Sequence, residues 1–91
     1  MKRTRRVRLE RFGVHLPVLK AIIIDAITQA GDLGISVDEL IYRVWRDAGG
    51  VAPQTVTTHV WQINNLLAGT RIRIDRRGDA EHARYFLTRR A

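Results

Sequence analysis

Cysteine is absent from the 91 residues. That absence excludes disulfides, thiolate catalysis and cysteine-based zinc sites, and its usual setting is a reducing, cytoplasmic compartment. Lysine is scarce: of sixteen basic residues only Lys2 and Lys20 are lysines, and the rest are arginine. Long apolar runs are missing. The longest spans residues 21–24, whereas a membrane helix needs about 20 apolar residues in succession. No signal-peptide core follows the basic N-terminus, so no membrane partner is expected. The chain also lacks a nucleophile–base set, a metal-ligand spacing and a phosphate-cradling glycine loop. His15 and His82 have no companions at ligand spacing. No catalytic residue, metal or cofactor is therefore expected, and the protein reads as a non-enzyme. With no internal repeat or low-complexity segment, 91 residues make one small domain with a single modest core.

What the chain has in excess is positive charge, with a formal net charge of +7. Guanidinium groups offer a planar fork of donors that suits phosphates and guanine edges. A small basic domain points first to nucleic acid and second to an anionic membrane or acidic protein.

Residues 1–6 carry Lys2, Arg3, Arg5 and Arg6. They read either as a solvated tail or as an arm lying on phosphates or in a minor groove. Val7, Leu9, Val14 and Leu16 alternate with polar residues around Phe12-Gly13, which predicts a short strand or a two-strand hairpin. Pro17 suits the first position of a helix. Leu19, Ile22, Ile23, Ala26, Ile27 and Ala30 follow a helical period that Gly31 and Gly34 end. Ser36-Val37-Asp38-Glu39 is a capping box: the Ser36 hydroxyl accepts from the Glu39 N–H, and the Glu39 side chain returns to Ser36. Asp38 and Glu39 there offset a helix dipole and need no catalytic role. That second helix continues through Leu40, Ile41, Val44 and Trp45 and stops before Gly49-Gly50. A loop over 48–52 leads to Pro53, which opens a third helix over 53–67 with Gly69 as its C′ residue. The period then becomes two. Ile72 and Ile74, then Ala83, Tyr85 and Leu87, predict a hairpin over 71–88 with a polar tip at 76–82. The organisation is a 1–6 basic arm, a 7–88 domain and an 89–91 basic tail.

The third helix has two unlike faces. Val56, Val60, Ile63 and Leu67 make one apolar stripe. The rest is Gln54, Thr55, Thr57, Thr58, His59, Trp61, Gln62, Asn64 and Asn65, with neither carboxylate nor lysine. Amides, hydroxyls, an imidazole and an indole hydrogen-bond in defined directions or stack. Such a face on a basic chain reads as a surface for DNA base edges. Gln54, Thr57, Thr58 and Gln62 are the base-reading candidates. Glutamine pairs with adenine N6 and N7, and a threonine methyl meets a thymine methyl. Trp61 reads either as part of this surface or as a cover leaning over the core or the hairpin.

Three helices followed by a β-hairpin predict an α+β winged helix-turn-helix, with helix three in the major groove and the hairpin as wing. Residues 37–45, VDELIYRVW, resemble the second helix of the OmpR/PhoB-type response-regulator effector domains. Residues 55–67 are similar to that family's recognition helix, of the form T-V-x-x-H-I-x-x-L-R-x-x-L, in which Thr55, Val56, His59, Val60, Ile63 and Leu67 fit. Leu16-Pro17 stands where the family has its "LT", and Arg77-Gly78 with Tyr85-Phe86-Leu87 echoes its wing "RGxGYxL". The resemblance covers residues 7–87, and is to an effector domain standing alone, with no receiver domain in the sequence. It implies that His59, Trp61 and Asn64 face the DNA backbone and that Thr57, Thr58 and Gln62 face base edges; Thr55 is a further backbone candidate. The chain departs from the family at Asn64, where Arg is usual, at Trp61 and Gln62, often basic, and in its longer, charged wing tip. Arg43 and Arg46 at the end of helix two are further backbone candidates, and Arg76, Arg77 and Arg84 are wing candidates.

The sequence therefore predicts a small, nucleoid-associated transcription regulator that reads double-stranded DNA, as a homodimer or as tandem copies, with a possible contact to RNA polymerase or a sigma factor. The alternatives are an architectural DNA binder with little base readout, or a winged-helix module that docks on another protein.

Overall fold

The computed structural model describes residues 9–79 and 81–90. Lys2, Arg3, Arg5, Arg6 and Val7 lie outside these residues. The fold is α+β: three helices with two antiparallel sheets.

The chain first reverses at Phe12-Gly13. β1 (Glu10–Arg11) pairs antiparallel with β2 (Val14–His15). A two-residue loop of type I′, whose twist matches its strands, needs positive φ at both positions, and Phe12 (φ 56°) and Gly13 (φ 78°) both supply it. The hairpin reading of this segment is the one that holds. Arg11 docks it on the first helix: Nε and Nη2 donate to the two carboxylate oxygens of Asp25 at 2.7 and 2.8 Å.

α1 (Val18–Ala30) starts one residue later than expected, with Pro17 preceding its first turn. Its buried side chains are Ala21, Ile23, Ile24, Ala26 and Ile27. Ile22, expected on that face, is 47% exposed. Consecutive residues on a helix turn away from one another, so a run of three isoleucines cannot all face inward.

A 3₁₀ turn at Gly31–Leu33 leads to Gly34, whose φ is 70°. A Cβ at this position would sit 2.6 Å from the Phe86 ring. Gly34→Ala is expected to cost about 2 kcal/mol, from left-handed strain and the displaced ring. It should lower the midpoint of thermal unfolding by roughly 10 °C, measured by circular dichroism.

β3 (Ile35–Ser36) is an element that the alternation of residues does not predict. It pairs antiparallel with the last strand, Ile35 opposite Tyr85 and Ser36 opposite Arg84. α2 (Val37–Trp45) then begins with half of its capping box. Ser36 Oγ accepts from the Glu39 N–H at 3.1 Å. The Glu39 carboxylate does not return to Ser36; it accepts from Arg43 Nη2 at 3.0 Å, one turn on, where a charged donor competes for it. A second 3₁₀ turn, Arg46–Ala48, closes the helix, and Gly49 follows in the left-handed conformation.

α3 (Pro53–Leu66) has proline in its first turn. Gly69 is not its C′ glycine, because it does not adopt positive φ. The helix ends on Leu67, whose carbonyl accepts the Thr70 hydroxyl at 2.8 Å.

β4 (Ile72–Arg77) and β5 (Arg84–Arg89) pair from Ile72 opposite Arg89 to Arg77 opposite Arg84. The polar tip is therefore shorter than the expected 76–82, with Arg76 and Arg77 in β4, and Arg89 belongs to β5, not to a tail. A hairpin with one face in water carries charged residues throughout, so charge does not mark its ends. The strand order is β3-β5-β4, which leaves β4 at an edge.

The core lies between the helices and this sheet. Leu16, Ile23, Ile24 and Ile27 meet Leu40 and Trp45 of α2, Val56, Val60, Ile63 and Leu67 at α3, and Ile35, Ile72, Ile74 and Tyr85 of the sheet. Burying one such aliphatic side chain contributes about 1.5–3 kcal/mol before entropy is subtracted. Among the described residues no helix is long and apolar enough to cross a membrane.

Candidate nucleic-acid interface

The core decides which face of α3 is free. With Val56, Val60 and Ile63 buried, Gln54, Thr57, Thr58, Trp61 and Asn65 are exposed, and Thr55, His59, Gln62 and Asn64 are half-buried at the flanks. The fourteen residues of α3 include no Asp, Glu, Lys or Arg. Thr57 and Thr58 donate their hydroxyl protons to the carbonyls of Pro53 and Gln54, at 3.4 and 3.0 Å. Each keeps a methyl group and an oxygen acceptor for any partner.

On one flank α3 faces β4. A hollow between them is lined by Thr57, Trp61, Arg73 and Arg76 and floored by Val60, Ile74 and Tyr85. Trp61 is 65% exposed and stands at the mouth of this hollow; it does not cover the core. Arg76 follows Ile72 and Ile74 on the inward face of β4, just beyond the core, and also lines a second hollow with Pro53 and Thr57. Arg73 lies 3.5 Å from Asp75 across partly exposed surface, which leaves its charge solvated.

On the other flank α3 faces α1 and α2. Lys20 Nζ is 3.0 Å from His59 Nδ1, and the Trp45 and His59 rings lie 5.8 Å apart between centroids. Burial, and then the Lys20 charge, hold the His59 pKa below its ordinary value. The neutral ring accepts from Lys20 at Nδ1, which places its own proton on Nε2.

No protein-family model, curated protein or solved structure matches this chain.

Two sequence-predicted contact residues are engaged elsewhere. Asn64, expected at the DNA backbone, spends its carboxamide inside the fold. Nδ2 donates to the Ile74 carbonyl at 3.0 Å, and Oδ1 accepts from the Ile74 N–H at 2.8 Å. Arg84, expected on the wing, turns to the loop after α1, where Nε and Nη2 donate to the carbonyls of Leu33 and Gly34 at 2.9 and 3.1 Å. Those carbonyls end a helical segment and lack partners within it, so a guanidinium fork satisfies both.

The remaining basic candidates stay on the surface. Arg77 lies over the Phe86 ring at 4.6 Å. Arg43 pairs with Glu39, and Arg46 lies over Tyr42 at 5.3 Å. At the hairpin tip, Asp79 accepts from the His82 N–H, from the His82 ring and from the Glu81 N–H, which holds its carboxyl below the usual range.

The structure adds Lys20 and Arg73, which the sequence did not single out. Alternation with Ile72 and Ile74 puts Arg73 on the solvent face of β4, and the strand's edge position brings it to the rim of the hollow beside α3. Lys20 had no local signal, since its partner lies 39 residues away.

Proposed function

We propose that this protein is a sequence-specific double-stranded DNA-binding protein, a small transcription regulator of winged helix-turn-helix form similar to the OmpR/PhoB-type effector domains. α2 and α3 form the helix-turn-helix, α3 enters the major groove, and β4–β5 is the wing. The observation that carries this reading is the exposed, uncharged face of Gln54, Thr57 and Thr58, flanked by Lys20 on one side and Arg73 and Arg76 on the other. Directional neutral groups discriminate base edges, and flanking cations grip phosphates and fix the register. An architectural binder needs no such face. Arg77 stays with the wing, and Arg43 in the last turn of α2 and Arg46 in the 3₁₀ turn after it remain backbone candidates. One domain buries limited DNA surface, so two copies, symmetric or in tandem, serve specificity better than one.

Fluorescence anisotropy with labelled genomic fragments over a salt series tests this. Binding is expected to weaken steeply with salt. Arg73→Ala and Arg76→Ala should each weaken all duplexes alike and reduce the salt slope by about 1. Absence of binding at low salt overturns the reading. It would favour a protein-docking module, for which Tyr42, 61% exposed beside a hollow lined by Ile41 and Arg46, is the anchor.

A further inference from the structure

We infer that Lys20 of α1 is a positioning residue for His59 of α3: at the seam between the two helices it holds the imidazole at Nδ1, so that Nε2–H makes the backbone-phosphate contact that the family resemblance implies for His59. The inference rests on the proposed DNA reading and deepens it by assigning a role to α1.

The argument begins with the hydrogen bond. An ammonium has only donors, so at 3.0 Å His59 Nδ1 must be the acceptor. An acceptor nitrogen carries no proton. The imidazole is then neutral, with its proton on Nε2, and Lys20 fixes both the tautomer and the tilt of the ring. Trp45 supports the ring from α2. Two flexible side chains from distant parts of the chain are thus held in one arrangement, with Nε2–H and the two remaining ammonium protons left as donors. A phosphodiester, with anionic oxygens that only accept, fits that set. A guanine N7/O6 edge also only accepts, but His59 lies on the half-buried flank of α3 against α1 and not on the exposed face of Gln54, Thr57 and Thr58.

The pair also has a pH consequence. Protonating His59 would remove the acceptor and set a second cation beside Lys20. The groups that face His59 are Lys20 from α1 and the uncharged Trp45 from α2, and its neighbours one turn away on α3, Thr55 and Gln62, carry no charge. Burial, and then the Lys20 charge, both disfavour the imidazolium, and phosphate contact needs only Nε2–H. Affinity for duplex DNA should therefore stay level as the pH falls until below the ordinary imidazole range. Without Lys20 the imidazole is freer to protonate, and an imidazolium binds phosphate more strongly, so affinity should rise as the pH falls.

The test uses the whole chain, with Lys20→Met, which keeps the stem and removes the donor, and Lys20→Arg, which restores a donor. Long-range proton–nitrogen NMR on the free protein reads the His59 tautomer. Nδ1 is expected to be unprotonated in the wild type and in Lys20→Arg. A protonated Nδ1 in the wild type overturns the pair. Anisotropy with a bound duplex reads the contact. Lys20→Met should lose affinity about five- to tenfold, as for one charge-assisted hydrogen bond. It should also become pH-dependent, whereas Lys20→Arg should keep most of the affinity. Full affinity and a flat pH profile in a folded Lys20→Met overturn the pair alone. No duplex binding by the wild type overturns the DNA reading and the pair together.

Discussion

Asn64→Leu should unfold at a markedly lower temperature than the wild type while the proposed DNA binding is untouched. Both ends of the Asn64 carboxamide are bonded to the backbone of Ile74, at 2.8 and 3.0 Å. Leucine keeps the volume but orphans an N–H and a carbonyl of β4 beside the core. Each partly buried group left without a partner costs about 1–3 kcal/mol, so a loss of about 3 kcal/mol is expected. In a domain of this size that is roughly 15 °C in the unfolding midpoint. Had Asn64 been a phosphate contact, as the resemblance implies, the variant would have kept its stability and lost affinity. Calorimetry and anisotropy on the same sample separate the two. An unchanged melting temperature would refute the structural role.

The second large effect is on discrimination. Replacing Gln54, Thr57, Thr58 and Gln62 together by alanine should leave the Arg-driven, salt-dependent affinity nearly intact and collapse the preference for one sequence. Each good base contact is worth about 1–3 kcal/mol of discrimination. Losing several should narrow the ratio of specific to nonspecific affinity by at least about 10³-fold. Selection from random duplexes supplies the preferred site, and competition with scrambled duplex reads the ratio. A chain that retains its preference without these four side chains does not read DNA with this face. Thr57→Val adds a finer distinction. The Thr57 hydroxyl donates to Pro53, so a methyl contact survives the change and a contact through the oxygen does not.

The helices were legible in the sequence because their causes are local. The stripe of Val56, Val60 and Ile63, the Ser36 cap and Pro53 act within a few residues of themselves, and α2 and α3 lie within a residue or two of where those signals place them. The neutral face of α3 was legible for the same reason. Long-range partners were not. Arg84 looks like any wing arginine until a loop fifty residues earlier turns two carbonyls toward it. Asn64 looks like an outward amide until β4 passes beside it. β3 is two residues long, too short for any alternation, and exists because β5 offers it an edge. The same limit hid Lys20, which reads as one of four polar residues in an isoleucine-rich helix.

β4 has its own consequence, beyond the question of ligands. It is the outer strand of its sheet, and an outer strand with a free backbone invites another chain to add on and begin a fibre. Here Asn64 occupies the Ile74 amide, and arginines at 71, 73, 76 and 77 repel a second copy of the same strand. The opposite margin, β3, is too short to template anything. The protein should therefore stay dispersed at high concentration and meet its own copies through helices or along a shared ligand, not by extending its sheet.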